Sequence, residues 1–217
     1  CGFMQEYMRR EAETGRYSKI YLGVCERAAE GTPDTAFAEK GARITVDAPI
    51  SRDLSSIILR KTDPEGKRAV TCVTVLDVSE DGQKILAAFS LKTGRTHQIR
   101  VHMSYKGWPL VGDTLYGINA VPRTGKPPLD ETGNPKNSEG AHQLLHAWSA
   151  GYFQPFTGEP VRIICPVPAE FIQGFPGAFD ASGTLTLNPS INQGKAAEKY
   201  AGFSPVVMAI GDGNHSL

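Results

Sequence analysis

Hydrophobic and polar positions alternate along this chain in a way that predicts most of its elements. Residues 3–13 mix charge with strong helix formers, and the stretch RYSKIYLGVCE at 16–26 is rich in β-branched and aromatic side chains. A helix is expected there to hand over to a strand, with Gly15 placed to close the helix. ARITVDAPI at 42–50 alternates like a strand that Pro49 ends, and SIILRK at 56–61 is expected to pair nearby. The plainest pattern is RAVTCVTVLDV at 68–78, the turn EDGQ, and then KILAAFSLK at 84–92. Two β-rich runs around a Gly-containing turn predict a hairpin.

Past the hairpin, TGRT at 93–96 reads as a turn whose Thr96 caps a short helix, with Ile99 and Met103 one turn apart and Gly107 closing it. Residues 118–140 are rich in Pro, Gly, Asn and charge without periodicity, which predicts a long loop. QLLHAWSAGYF at 143–153 and VRIICPVP at 161–168 predict two further strands, and AEFIQGF at 169–175 closes the domain. From residue 176 the composition shifts to Gly, Asn and Ala with one apolar patch, SPVVMAIG. The expected organisation is one main domain over 1–175 and an extension of unassigned role over 176–217. No apolar run approaches the ~18 residues of a membrane span.

With 40% hydrophobic and 21% charged residues in 217, the composition is that of a folded globular protein. Four cysteines at 1, 25, 72 and 165 have neither CxxC nor zinc-finger spacing, so reduced, mostly buried thiols of a cytoplasmic protein are expected, and no metal. The 23 basic and 23 acidic residues cancel, which counts against nucleic acid as a partner. Distribution changes that picture. No acidic residue lies between Asp81 and Asp113, while Lys84, Lys92, Arg95, Arg100 and Lys106 do, with His97 and His102. A positive face on a neutral protein is the expectation.

The segment TGRTHQIRVH at 93–102 carries the most candidate chemistry. It sets Arg95, Thr96 and His97 beside the backbone amides of a helix start, where phosphate oxygens bind favourably. His97, Arg100 and Ser104 share one helical face, and Ile99 and Met103 share another. An arginine so placed is by default a solvated or ion-paired surface residue. His97 and His102 stand about 140° apart around a helix, unlike a metal-binding i, i+4 pair. Tyr21 is by default a half-buried strand aromatic. Serine triads, Gly-rich phosphate loops and paired carboxylates have no match, so the residues alone identify no nucleophile.

The string TGRTHQIRVHMSYKGWPLVGDTLYG at 93–117 closely resembles the signature of RluA-type RNA pseudouridine synthases, which isomerise uridine in ribosomal or transfer RNA. Weaker matches follow in family order: KIYLGVC at 19–25, APISRD at 48–53, GKRAVTCVTVLD at 66–77, QLLHAWSAGYFQPFTGEP at 143–160 and CPVPAEF at 165–171. Trp108 stands where a histidine is usual, and Gln154 precedes Pro155 where the family often has His. The resemblance implies a mixed α+β fold, a largely antiparallel sheet with flanking helices and an RNA-binding cleft across it. It makes Arg100 the arginine that pairs with the nucleophilic aspartate, Tyr21 the tyrosine that stacks on the flipped base, and Leu145 the apolar lining of the pocket. It implies RNA as partner, a monomer, no membrane, and no metal or organic cofactor.

The family's aspartate sits in an H-R-L-D segment upstream of the K-x-Y strand, and no such string occurs in these 217 residues; Asp53 belongs to APISRD. The chain is therefore expected to be the C-terminal two-thirds of the catalytic domain and inactive alone. Arg100 is expected to lack a buried carboxylate partner and to share one open cleft with Tyr21 and Leu145, bordered by the basic stretch 84–106. Two other readings compete: a non-catalytic RNA-binding module of the same fold, and an interaction protein unrelated to RNA.

Overall fold

The hairpin forms as its sequence predicts. In a computed structural model, β5 (Val70–Val78) and β6 (Lys84–Leu91) pair antiparallel, Val73 opposite Phe89, with a shift of register between Val75 and Asp77. Gly82 turns the corner at φ 66°, a left-handed conformation that favours glycine. Residues 85–90 are all buried, so β6 is covered on both faces and its sequence runs apolar instead of alternating. β2 (Arg43–Asp47) pairs with the other edge of β5, Ile44 opposite Val73. The structure describes residues 2–118 except 15, 30, 32 and 55, then residue 120, residues 142–186 and residues 206–207. The Gly15 cap, nearly all of the loop expected over 118–140 and most of the extension lie outside the described residues.

The hairpin belongs to a unit spanning Gly23–Leu145. The end of β1 (Ser18–Glu26) runs in beside it, and the Arg27 amide just beyond donates to the Gln83 carbonyl at 2.8 Å. Gly23 is needed for that approach, since a Cβ there would lie 2.8 Å from Phe89 and 2.9 Å from Leu110. A separate two-stranded ladder joins β3 (Ile50–Arg52) to β4 (Arg60–Thr62), so only the end of SIILRK is strand. α2 (Gln98–Tyr105) packs beside β4 and β5. Ile99 and Met103 are buried as the helical periodicity predicts, but so are Gln98, Val101 and His102, and Val101 joins Ile50, Ala69 and Tyr116 in one cluster.

The other unit comprises Cys1–Leu22 and the chain from His146. α1 (Gly2–Glu13) is fastened to β7 (Leu145–Phe153) by the Tyr7 hydroxyl, which donates to the Phe153 carbonyl at 2.6 Å. β7 pairs antiparallel with β8 (Pro160–Ile164), Ala150 opposite Ile163, and β8 carries the short parallel strand β9 (Val206–Val207). α3 (Ala169–Gly174) follows, then a 3-10 turn at Pro176–Ala178 and a return to Thr186, whose amide donates to Ala178. The fold class is the mixed α+β, largely antiparallel one that the resemblance implies. Among the described residues no helix is long and apolar enough to cross a membrane.

Candidate functional site

Gln98 organises the turn before α2. Its Oε1 accepts the Arg95 amide at 3.0 Å and the Thr93 hydroxyl at 2.8 Å, while Nε2 donates at 3.0 Å to both the Val70 carbonyl and Thr71 Oγ1. The helix start differs from the one expected. His97, at φ 58°, is the N-cap and Thr96 is not, because Gln98 reaches back to satisfy the turn and the left-handed residue aims the chain into the helix. The His97 Nδ1 lies 2.9 Å from the Tyr116 hydroxyl, which itself accepts the Arg60 amide at 2.9 Å. Burial, then the nearby Arg100 and Arg60, hold His97 below the ordinary histidine range, and its tautomer sets whether Nδ1 accepts from Tyr116 or donates to it.

His102 is a core residue. Its Nε2 is 2.9 Å from the Ala48 carbonyl and its Nδ1 2.9 Å from the Thr71 hydroxyl. A carbonyl can only accept, so Nε2 carries the proton and Thr71 donates to Nδ1 while accepting from Gln98. Burial holds this histidine too below its usual pKa.

Arg100 does have a carboxylate partner, contrary to expectation. Its Nε and Nη2 donate to Asp113 at 2.8 and 2.6 Å; the Asp113 side chain is fully buried and that of Arg100 is 12% exposed. Asp113 Oδ1 also accepts the amides of Leu115 and Tyr116 at 2.9 Å each. Burial pushes the Asp113 carboxyl up, but the Arg100 guanidinium and the two amides outweigh it and hold the group below its ordinary value. A bidentate pair whose carboxylate also accepts two backbone amides needs no water to be tolerated, which is why the guanidinium can be largely covered. The Arg100 guanidinium stands 5.1 Å from the Tyr116 ring centre, and its Nη1 has no hydrogen-bond partner among the described residues. Asp113 was visible in VGDTLYG, inside the signature string, but nothing in its spacing says that it faces Arg100.

Arg95 and Thr96 open on a hollow of about 520 Å³, with Arg52, Arg60 and Lys67 around it and Glu65 as the acidic member. Of the basic residues expected at 84–106, Arg95 lines this hollow, and Lys84, Lys92, Arg100 and Lys106 are not among its lining. Lys84 opens β6 and Lys92 follows its end, roughly 25 Å apart at strand rise. Lys106 pairs with Asp34 at 3.0 Å, and Arg100 with Asp113. The cations converge instead from β3, β4 and the 93–96 turn, because Ile50 and Lys67 exchange two backbone hydrogen bonds of 2.9 Å. Arg52, Arg60 and Lys67 were not singled out in the sequence, where they are scattered among acidic neighbours. Leu145 is half-buried and does not line this hollow, and Tyr21 is a half-buried residue of β1 in the other unit. Among the described residues no group of three His, Cys, Asp or Glu could hold a metal, and three free cysteines are seen, Cys25 buried and Cys72 and Cys165 half-buried.

A family model described as RNA pseudouridylate synthase matches residues 1–105. That stretch is similar to pseudouridine synthase sequence. Similar proteins include an uncharacterized RNA pseudouridine synthase of Bacillus subtilis (strain 168), 41% identical over 126 residues, which are 58% of this chain and 38% of the relative. Ribosomal large subunit pseudouridine synthase D of Vibrio vulnificus (strain CMCP6) is 39% identical over 128 residues, 59% of this chain and 38% of that protein. The matches thus span less than two fifths of the length of these relatives. The fold is shared with human RNA Pseudouridylate Synthase Domain Containing 4, at a TM-score of 0.51 and 20% identity over 80% of this chain and 66% of that one. The resemblance to RNA pseudouridine synthases is thus found in the sequence, and the fold agrees with it.

Proposed function

We propose that this chain is part of an RNA pseudouridine synthase, an isomerase that converts uridine to pseudouridine in ribosomal or transfer RNA, acting as a cytoplasmic monomer without metal or organic cofactor. The observation that carries this reading is the 93–102 segment: within a family signature, it opens Arg95 and Thr96 on a cationic hollow and holds Arg100 in a fixed orientation. A uracil inside a helix must be flipped out before its N1–C1′ bond is broken and C5 joined to C1′, with loss of the C5 proton. The agent is an aspartate that must stay ionised, which an arginine at ion-pair distance favours. Asp113 occupies the Nε and Nη2 edge of Arg100 and fixes its plane, which leaves Nη1 for a second carboxylate. Tyr21 supplies a stacking face and a hydroxyl near C5, where a proton must finally leave; Leu145 supplies apolar lining.

Because no H-R-L-D string is present in these residues, turnover by this chain alone is expected to be nil. Tritium release from RNA labelled at uridine C5 measures it, and any release by the purified chain sinks the missing-nucleophile argument. The second reading, a non-catalytic RNA-binding module, draws support from the engagement of Arg100 with Asp113. Fusing an H-R-L-D segment from a relative ahead of Cys1 separates the two: turnover supports the synthase, and binding without turnover supports the module. A chain that binds no RNA at all favours an unrelated interaction protein.

A further inference from the structure

The turn joining β3 to β4 holds three large aliphatic side chains out in solvent. Leu54, Ile57 and Ile58 are 95%, 82% and 58% exposed. Exposed apolar residues scattered singly are ordinary, but a group of them marks a contact surface. Among the described residues, Arg52, Ser56 and Arg60 bond to the turn's own backbone. Arg52 Nη2 donates to the Ile57 carbonyl at 3.2 Å, and Arg60 Nη1 donates to the carbonyls of Ile58 and Leu59 at 3.0 Å each. Ser56 Oγ accepts the amides of Ile58 and Leu59 at 3.2 Å, and the Leu59 carbonyl accepts the Asp53 amide at 3.1 Å. The tip is thus a built projection with a backbone clamped by two arginines.

Those arginines also connect the tip to the cationic hollow. Arg52 lines both the hollow of about 520 Å³ and a smaller one of about 230 Å³ that it forms with Leu54, Ser56 and Ile57. On a protein with no net charge, Arg52, Arg60, Lys67 and Arg95 gather here around Glu65. A protein partner covering an aliphatic tip has no need of four cations at its side, whereas a polyphosphate chain does.

We propose that the β3–β4 turn is an apolar wedge for helical RNA: Leu54 and Ile57 enter between neighbouring bases, and Arg52, Arg60, Lys67 and Arg95 hold the flanking phosphates. Branched aliphatic wedges that part a base step cost stacking energy and gain a distorted duplex that contacts more protein. The wide, shallow minor groove of an RNA helix admits such a turn. A step already unstacked also lowers the cost of extracting an adjacent base. The inference rests on the RNA reading above and specifies which surface engages the helix.

The test uses the full chain and a short RNA hairpin carrying 2-aminopurine in its stem. Wild type should bind and raise the fluorescence of the unstacked base. The double variant Leu54→Ser/Ile57→Ser should bind about tenfold more weakly, lose the fluorescence rise and keep the same salt slope. Lys67→Ala should do the reverse, reducing the slope by about one and keeping the rise. Leu54→Trp, which preserves an apolar wedge, should hold its affinity and show indole quenching on binding. Unchanged affinity and fluorescence in the Ser variant, or an unquenched indole in the bound Leu54→Trp variant, overturns the wedge and leaves RNA binding standing. No binding of any RNA by wild type overturns the function reading itself. Loss of self-association or of a protein contact in the Ser variant, with RNA binding intact, overturns the wedge and assigns the tip to a protein.

Discussion

Arg100 and Arg95 come from the same short segment and have opposite surroundings. Arg100 is 12% exposed and locked to a buried carboxylate. Arg95 is exposed, its Nε donates to the Arg68 carbonyl at 3.0 Å, and it lines the cationic hollow. One guanidinium is tied into the interior, as Gln98, His102 and Thr71 are; the other is available to a ligand. The contrast teaches that a string of adjacent residues does not share one environment: burial decides which charges hold the interior together and which stay open to a ligand.

The strongest way to break the comparison is Asp113→Ala, which strands Arg100 in the interior. A loss of about 3–5 kcal/mol in urea unfolding is expected, the size found when one member of a buried pair is removed; a loss under about 1 kcal/mol would show that the pair is not structural. Gln98→Ala should cost about 1–3 kcal/mol, because it leaves the Arg95 amide and the Thr93 hydroxyl without their acceptor. A stability unchanged within error would mean that water replaces the side chain.

Acid should separate two contributions by pH. His102 has a depressed pKa in the fold, so its contribution is complete above the unfolded value near 6.5 and is lost as pH falls through the folded value. Asp113 is depressed as well, and its contribution is complete above the unfolded carboxylate range near 3.9 and is lost only below it. Urea midpoints at successive pH values should therefore fall first below about 6.5 and again below about 4. A flat profile down to pH 4 would contradict the buried neutral histidine. The smallest effect on stability is expected for Arg95→Ala, within about 0.5 kcal/mol of wild type. The same change should reduce the salt slope of RNA binding by about one. If Arg100→Ala lowered that slope equally, the distinction between the two arginines would collapse.

What the amino-acid sequence determined by itself is what depends on neighbours along the chain. The β5–β6 hairpin, α1, β7 and β8 follow from local composition and turn residues and the buried Ile99 and Met103 of α2 from a period of 3.6, while the string at 93–117 carries the family resemblance because it is specific. The tertiary structure decided which groups meet. Asp113 finds Arg100, Gln98 ties down the turn before the helix that Thr96 was expected to cap, and Arg52, Arg60 and Lys67 join Arg95 as the cationic wall. Each of these depends on where a side chain points and how deeply it is covered. Packing between elements distant in sequence sets both, and a left-handed backbone at His97 redirects the helix in a way that no periodicity records.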